Sequence, residues 1–185
     1  MKTLEDQMSF YAAYHQDARN KATHFFGVPA IAFSLLIPLG WLRIDISGLS
    51  VSAALAVAGL LLLYYLVLDL PLGLAMCVVF ALMLWGAGWL SQASLGVGLG
   101  WFMVLFVGGW ALQLWGHVYE GRKPALADNL FQIFVAPIFL AAELFFALGY
   151  KPKLHEAVQK RALELRAAAG VVENSALLSS TGRSA

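Results

Sequence analysis

Apolar residues come in five long runs, at roughly Phe25–Ile44, Leu49–Leu68, Leu70–Leu90, Val97–Gly116 and Leu130–Gly149, separated by short polar breaks. Runs such as "VSAALAVAGLLLLYYLVL" and "LGLAMCVVFALMLWGAGWL" carry no polar stripe around their circumference. A helix of that kind must be buried in a large core or in lipid. A chain of 185 residues lacks the material to bury five of them, and each run approaches the ~20 residues that cross ~30 Å of hydrocarbon. The pattern predicts an all-α, polytopic membrane protein whose first four runs are full transmembrane helices.

Only "DLP", Asp69 to Pro71, separates the second and third runs. This predicts a tight helical hairpin, with the proline in the first turn of the next helix where its missing N–H is not needed. The fifth run, "LFQIFVAPIFLAAELFFALG", carries Pro137 and Glu143 in its middle. A carboxylate at bilayer depth costs at least ~2.5 kcal/mol, and broken helices at that depth are tolerated only against protein or a cavity. The fifth run is therefore expected to be a broken, re-entrant or shallowly docked element. "KLHEAVQKRALELRAAAG" reads as a C-terminal interfacial helix. Residues 1–169 make one integral-membrane domain and 170–185 a flexible tail.

Four crossings put the N-terminal region and the loop after the fourth run on one side. Lys2, Arg19, Lys21, Arg122 and Lys123 lie there, against Arg43 alone in the opposite loops, which makes this side cytoplasmic. A fifth crossing would expel Lys151, Lys153, Lys160, Arg161 and Arg166, a second reason to doubt one. The membrane is the inner (plasma) membrane in a bacterium or the endoplasmic reticulum in a eukaryote.

Composition agrees with lipid as solvent, since 61% of residues are hydrophobic and 12% charged, against roughly 25% charged in soluble domains. Net charge is +1 with no basic stripe, which argues against nucleic acid as partner. Cys77 is the single cysteine, so a thiolate metal knuckle is excluded. No cleaved leader is expected at the N-terminus. The glycine-rich signatures of nucleotide sites and the serine elbow of hydrolases are missing.

The polar residues collect at one edge. His15 and His24 precede the first span and His117 ends the fourth, so the topology brings three distant histidines to one membrane face. Imidazole suits Fe(II), Zn(II) and related ions. Gln113, His117 and Glu120 stand at offsets of four and three, hence on one helix face, where Glu120 would ligate a metal or accept a ligand histidine's N–H. Its alternative is a solvated pair with Arg122. Glu143 needs a metal, a cation or a polar cavity. Asn20 would cap a helix beginning near Lys21 or support a ligand, and Asp128 would cap the next helix after Pro124 or touch the metal, with Asn129 beside it. Lys21, Arg122 and Lys123 offer positive charge to an anionic head.

The stretches "FYAAYHQDARNKATHFFGVP" and "GWALQLWGHVYEGRKPALADNLFQIFVAPIFLAAELFFALG" resemble the Mpo1-like family. The resemblance extends to about Lys153 and implies an Fe(II)-dependent membrane dioxygenase that shortens a long-chain 2-hydroxy fatty acid by one carbon with O2, without 2-oxoglutarate or a nucleotide. The family histidines carry onto His15, His24 and His117, and the motif carboxylates onto Glu120, Asp128 and Glu143 without settled roles. A hydroxy acid chelating the iron, its carboxylate steadied by Arg122 or Lys123, would be the substrate. The rival reading is a non-catalytic scaffold or small transporter with a structural histidine cluster.

Overall fold

A computed structural model of the chain describes residues 3–46, 48–122, 124–125 and 129–181. Among them, seven helices and one β-hairpin follow in the order α1 (Leu4–Ala12), α2 (Ala18–Trp41), β1 (Arg43–Ile46), β2 (Leu49–Ser52), α3 (Ala53–Leu68), α4 (Leu70–Gln92), α5 (Leu95–Glu120), α6 (Gln132–Ala147) and α7 (Pro152–Thr181). Three of them, α2, α4 and α5, are long and apolar enough to cross a membrane. Leu60, Val67, Leu82, Val104 and Val107 stand more than half exposed on α3, α4 and α5, as lipid-facing side chains do.

The second run gives a helix shorter than the run itself. There α3 has only 16 residues, ~24 Å at 1.5 Å per residue, because Leu49–Ser52 pairs with Arg43–Ile46 instead of starting the helix. "RIDI" and "LSVS" alternate apolar and polar residues, the strand period, and Gly48 at φ +85° takes the left-handed conformation that a tight hairpin requires. The fold is thus helical with one short antiparallel hairpin. The α3–α4 corner is as tight as "DLP" implies, with Asp69 alone between the helices, its Oδ1 accepting from the Leu72 N–H at 3.1 Å.

The longest shared seam joins α2 and α5. A Cβ on Gly109 would come within 2.7 Å of the Ile31 side chain and 3.0 Å of the Gly27 carbonyl, and one on Gly116 would collide with Thr23 and Asn20. Absent side chains let the two backbones approach closely. That approach sets His24 of α2 against His117 of α5.

The fifth run is docked at one end of the bundle. Near its start, the Phe134 carbonyl accepts from the Tyr65 hydroxyl at 2.6 Å; near its end, Glu143 pairs with Lys21 at 2.7 Å. Just beyond it, Lys151 pairs with Asp69 at the α3–α4 corner. Lys21 opens α2 and Asp69 opens α4, so α6 lies across the end where those helices begin. Pro137 sits inside an unbroken helix. At the same end α1 packs on α7 and α6, burying Met8, Ala12, Val158 and Ala162. The described helix α7 runs to Thr181.

Candidate metal centre

His15, His24 and His117 are all buried, and each offers a ring nitrogen within 4.8 Å of the other two. They arrive from the α1–α2 connection, the second turn of α2 and the last turn of α5. Two of the tautomers are set by the backbone. The Tyr11 carbonyl lies 2.7 Å from His15 Nδ1 and the Asn20 carbonyl 2.9 Å from His24 Nδ1. Each Nδ1–H donates there, four residues back, which leaves both Nε2 lone pairs facing each other at 3.1 Å. Two facing lone pairs repel unless a proton or cation lies between them. His117 Nδ1 is buried with no hydrogen-bond partner. An orphaned imidazole nitrogen beside two lone pairs fits a first-row divalent ion, for which fixing the remote nitrogen by a carbonyl is the usual support.

The His15 ring stacks on Tyr11 with centroids 4.0 Å apart and planes 6° apart, and Tyr11 packs on Phe139 of α6. Burial first, then the neighbouring His24 ring, holds the His15 imidazole well below the usual histidine range. It is neutral at neutral pH, the form that ligates.

The carboxylates expected as ligands have other partners. Glu120 Oε2 accepts from the Gln16 N–H at 3.0 Å, the Asp17 N–H at 2.8 Å and Asn20 Nδ2 at 3.1 Å, and Oε1 pairs with Arg166. The carboxylate is therefore spent on tying α5 to the start of α2 and to α7. Gln113, His117 and Glu120 do share the buried face of α5, yet Glu120 supports the site rather than joining the three nitrogens. Glu143 takes the cation option, pairing with Lys21. Neither belongs to the cluster of ligand atoms.

Asn20 is not a cap; Asp17 caps α2, and Asn20 lies inside the helix, linking Glu120 to the carbonyl that fixes His24. Arg122 points to α7, donating to the Arg166 carbonyl at 3.3 Å, and Lys21 is spent on Glu143. Asn129 accepts from the Phe131 N–H at 3.0 Å, a turn-forming contact at the entry to α6. Lys123 and Asp128 lie outside the described residues.

A cavity of about 260 Å³ opens from the three histidines. Beside them it is lined by Tyr11, Trp110, Gln113 and Gln132; from there it runs along α2 past Val28, Ile31 and Leu35 to Leu39, with Val57, Ala58 and Leu61 of α3 opposite. From His24 to Leu39 is 15 helical steps, ~22 Å. Leu35 and Val57 line it and are also partly exposed, at 37% and 43%, so the cavity has a side open toward lipid. Gln132 is not singled out by the sequence alone. Its signal was an isolated amide in an apolar helix, at offsets of four and seven from Ala136 and Phe139 on the buried face of α6.

A family model described as 2-hydroxy-palmitic acid dioxygenase Mpo1-like matches residues 1–148. The 2-hydroxy-palmitic acid dioxygenase MPO1 of Saccharomyces cerevisiae is 36% identical over 165 residues, which cover 88% of this chain and 91% of the yeast protein. No solved structure matches significantly.

Proposed function

This chain belongs to the Mpo1-like family of 2-hydroxy-palmitic acid dioxygenases, and from that premise we propose that it is an Fe(II)-dependent dioxygenase that cleaves the C1–C2 bond of long-chain 2-hydroxy fatty acids. The observation that carries the reading is the position of three buried imidazoles at the polar end of a cavity that is otherwise apolar. A lipid with a chelating head and a long alkyl chain matches both parts.

His15, His24 and His117 would hold the ion. Ferrous iron held there supplies the redox chemistry by which O2 oxidises the hydroxy acid. The overall balance closes without a co-substrate, because one 2-hydroxy acid and one O2 equal the acid shorter by one carbon, CO2 and water. The substrate provides all four electrons, so neither 2-oxoglutarate nor a nucleotide is required. The protein keeps its imidazoles neutral and turned toward one point, through the Tyr11 and Asn20 carbonyls. Tyr11 and Phe139 cover the His15 ring and keep water from it. The alkyl chain enters between α2 and α3 and lies along α2. A scaffold would have no use for a cavity joining the histidines to the lipid-facing side.

In this reading α2, α4 and α5 cross the bilayer, α3 crosses with the help of the hairpin, and α6 docks at the cytoplasmic face beside the site. The test is product analysis. Detergent-purified protein loaded anaerobically with Fe(II), then given O2 and 2-hydroxypalmitic acid, should yield the acid one carbon shorter with no 2-oxoglutarate added. Palmitic acid should remain unchanged. Equal consumption of both acids would contradict the proposal.

A further inference from the structure

No lysine or arginine lines the cavity among the described residues, although the proposed substrate carries a carboxylate. Two amides stand at its head instead. Gln113, on α5 one turn before His117, is 7% exposed and its Nε2 has no hydrogen-bond partner; Gln132, at the start of α6, is 1% exposed and its Oε1 has none. Buried amide atoms are nearly always paired. Both residues line the same cavity, and between them they hold one orphaned donor and one orphaned acceptor, which a ligand supplying an acceptor and a donor would satisfy once the two buried amides turn to meet it.

The orientation of Gln132 is held from behind. Its Nε2 donates to Gln7 Oε1 at 3.5 Å, and Gln7 Nε2 donates to the Tyr64 hydroxyl at 3.1 Å. This relay ties the Gln132 amide to α1 and, through Gln7, to α3, and leaves its carbonyl unpaired. Gln113 is positioned by the helix seam, since a Cβ on Gly27 would come within 2.6 Å of its Nε2.

We propose that these two amides read the head of the substrate, Gln113 Nε2–H donating to the carboxylate and Gln132 Oε1 accepting from the 2-hydroxyl. The inference rests on the hydroxy-acid reading and specifies it. A plain fatty acid offers no donor to Gln132 and leaves that carbonyl buried and unpaired. The amide pair thus selects the hydroxylated acid before any chemistry, in the way that a site built to bond a hydroxyl rejects the analogue lacking it. Among the described residues, Lys21 and Arg122 are turned to Glu143 and α7, which leaves a neutral donor for the carboxylate.

Equilibrium binding of 2-hydroxypalmitic and palmitic acids to the full-length chain, loaded with Zn(II) so that no turnover occurs, separates the two roles. Gln132→Leu should remove roughly 10-fold of the preference for the hydroxy acid while leaving palmitic acid binding unchanged or tighter. Gln113→Leu should weaken both acids by a similar factor, roughly 10-fold. Gln7→Leu, which touches no ligand, should reduce the preference in part by freeing Gln132. Thermal unfolding of each variant identifies any that fails to fold, in which case Gln132→Met and Gln113→Met replace it. A preference unchanged in the Gln132 variants, or affinities unchanged in the Gln113 variants, overturns the assignment. If that happens while the iron-loaded protein still shortens the hydroxy acid, the amide reading alone fails. Should the amide-dependent preference hold but no shortened acid form, the dioxygenase reading fails and the binding assignment stands.

Discussion

At Glu120 four donors converge on one carboxylate whose side chain is fully buried, and one of them, Arg166, comes from α7 beyond the matched family segment. Removing a single partner of a buried ion pair costs about 3–5 kcal/mol. Glu120→Ala should therefore destabilise the protein by about 3 kcal/mol or more in reversible unfolding, and loosen the His15 connection. Its metal affinity should fall by roughly 10- to 100-fold, the scale of supporting contacts rather than of a lost ligand. Chemistry at residue scale was legible for the histidines because only four exist and three sit at one edge. The carboxylates were not, because sequence gives spacing on a helix but not the backbone N–H groups of a distant connection that would claim a carboxylate first.

His15 yields a pH prediction at the same scale. Its folded pKa is lowered, so the unfolded chain binds more protons once pH falls below the unfolded value of about 6.5. The stability contribution is complete above that value and is lost as pH drops toward the depressed folded pKa. Thermal unfolding of metal-free protein, followed from about pH 8 to about pH 5, should show Tm falling only in the acid half of the range. A His15→Gln variant should lessen that dependence without abolishing it, because His24 and His117 are buried beside it.

Among the elements, the α2–α5 seam places the site. A Cβ on Gly116 collides with Thr23 and Asn20, so Gly116→Val has to push the helices apart, at a cost of about 1–3 kcal/mol. Because Asn20 also carries the carbonyl that fixes His24, metal binding should weaken along with stability; a variant with native metal affinity would show that the seam does not set the site. Farther along α2, Ala58 is fully buried and faces the cavity from α3. Ala58→Phe should shorten the cavity and shift the preferred acid to a shorter chain, measured as kcat/KM across a length series, with the histidines untouched. Helix existence was readable from the apolar runs. The hairpin was not, since "RIDISGLSVS" sits between two apolar runs whose hydrophobicity masks a short period-two pattern. The docking of α6 was half legible, in that Glu143 and the basic tail argued against a crossing, whereas its partners Lys21 and Asp69 depend on tertiary packing.

For the whole molecule, the contacts of Lys151 with Asp69 and of Arg166 with Glu120 put the basic C-terminal region at the same end as the histidines. Single cysteines at residues 16 and 153, introduced after replacing Cys77, should both be labelled from the cytoplasmic side in intact membranes, and one at residue 45 from the other side. Labelling of residue 153 with residue 45 would restore a fifth crossing. Both the binding and the chemistry require the three histidines to act as one centre. Iron bound per chain, measured on anaerobically loaded protein purified in detergent, tests that most directly. The wild-type chain should hold about one Fe(II), and His15→Ala, His24→Ala and His117→Ala should each lose most of it while keeping the helical content of the bundle. Full iron retention in any of the three variants, or no iron in the wild-type protein, would contradict it.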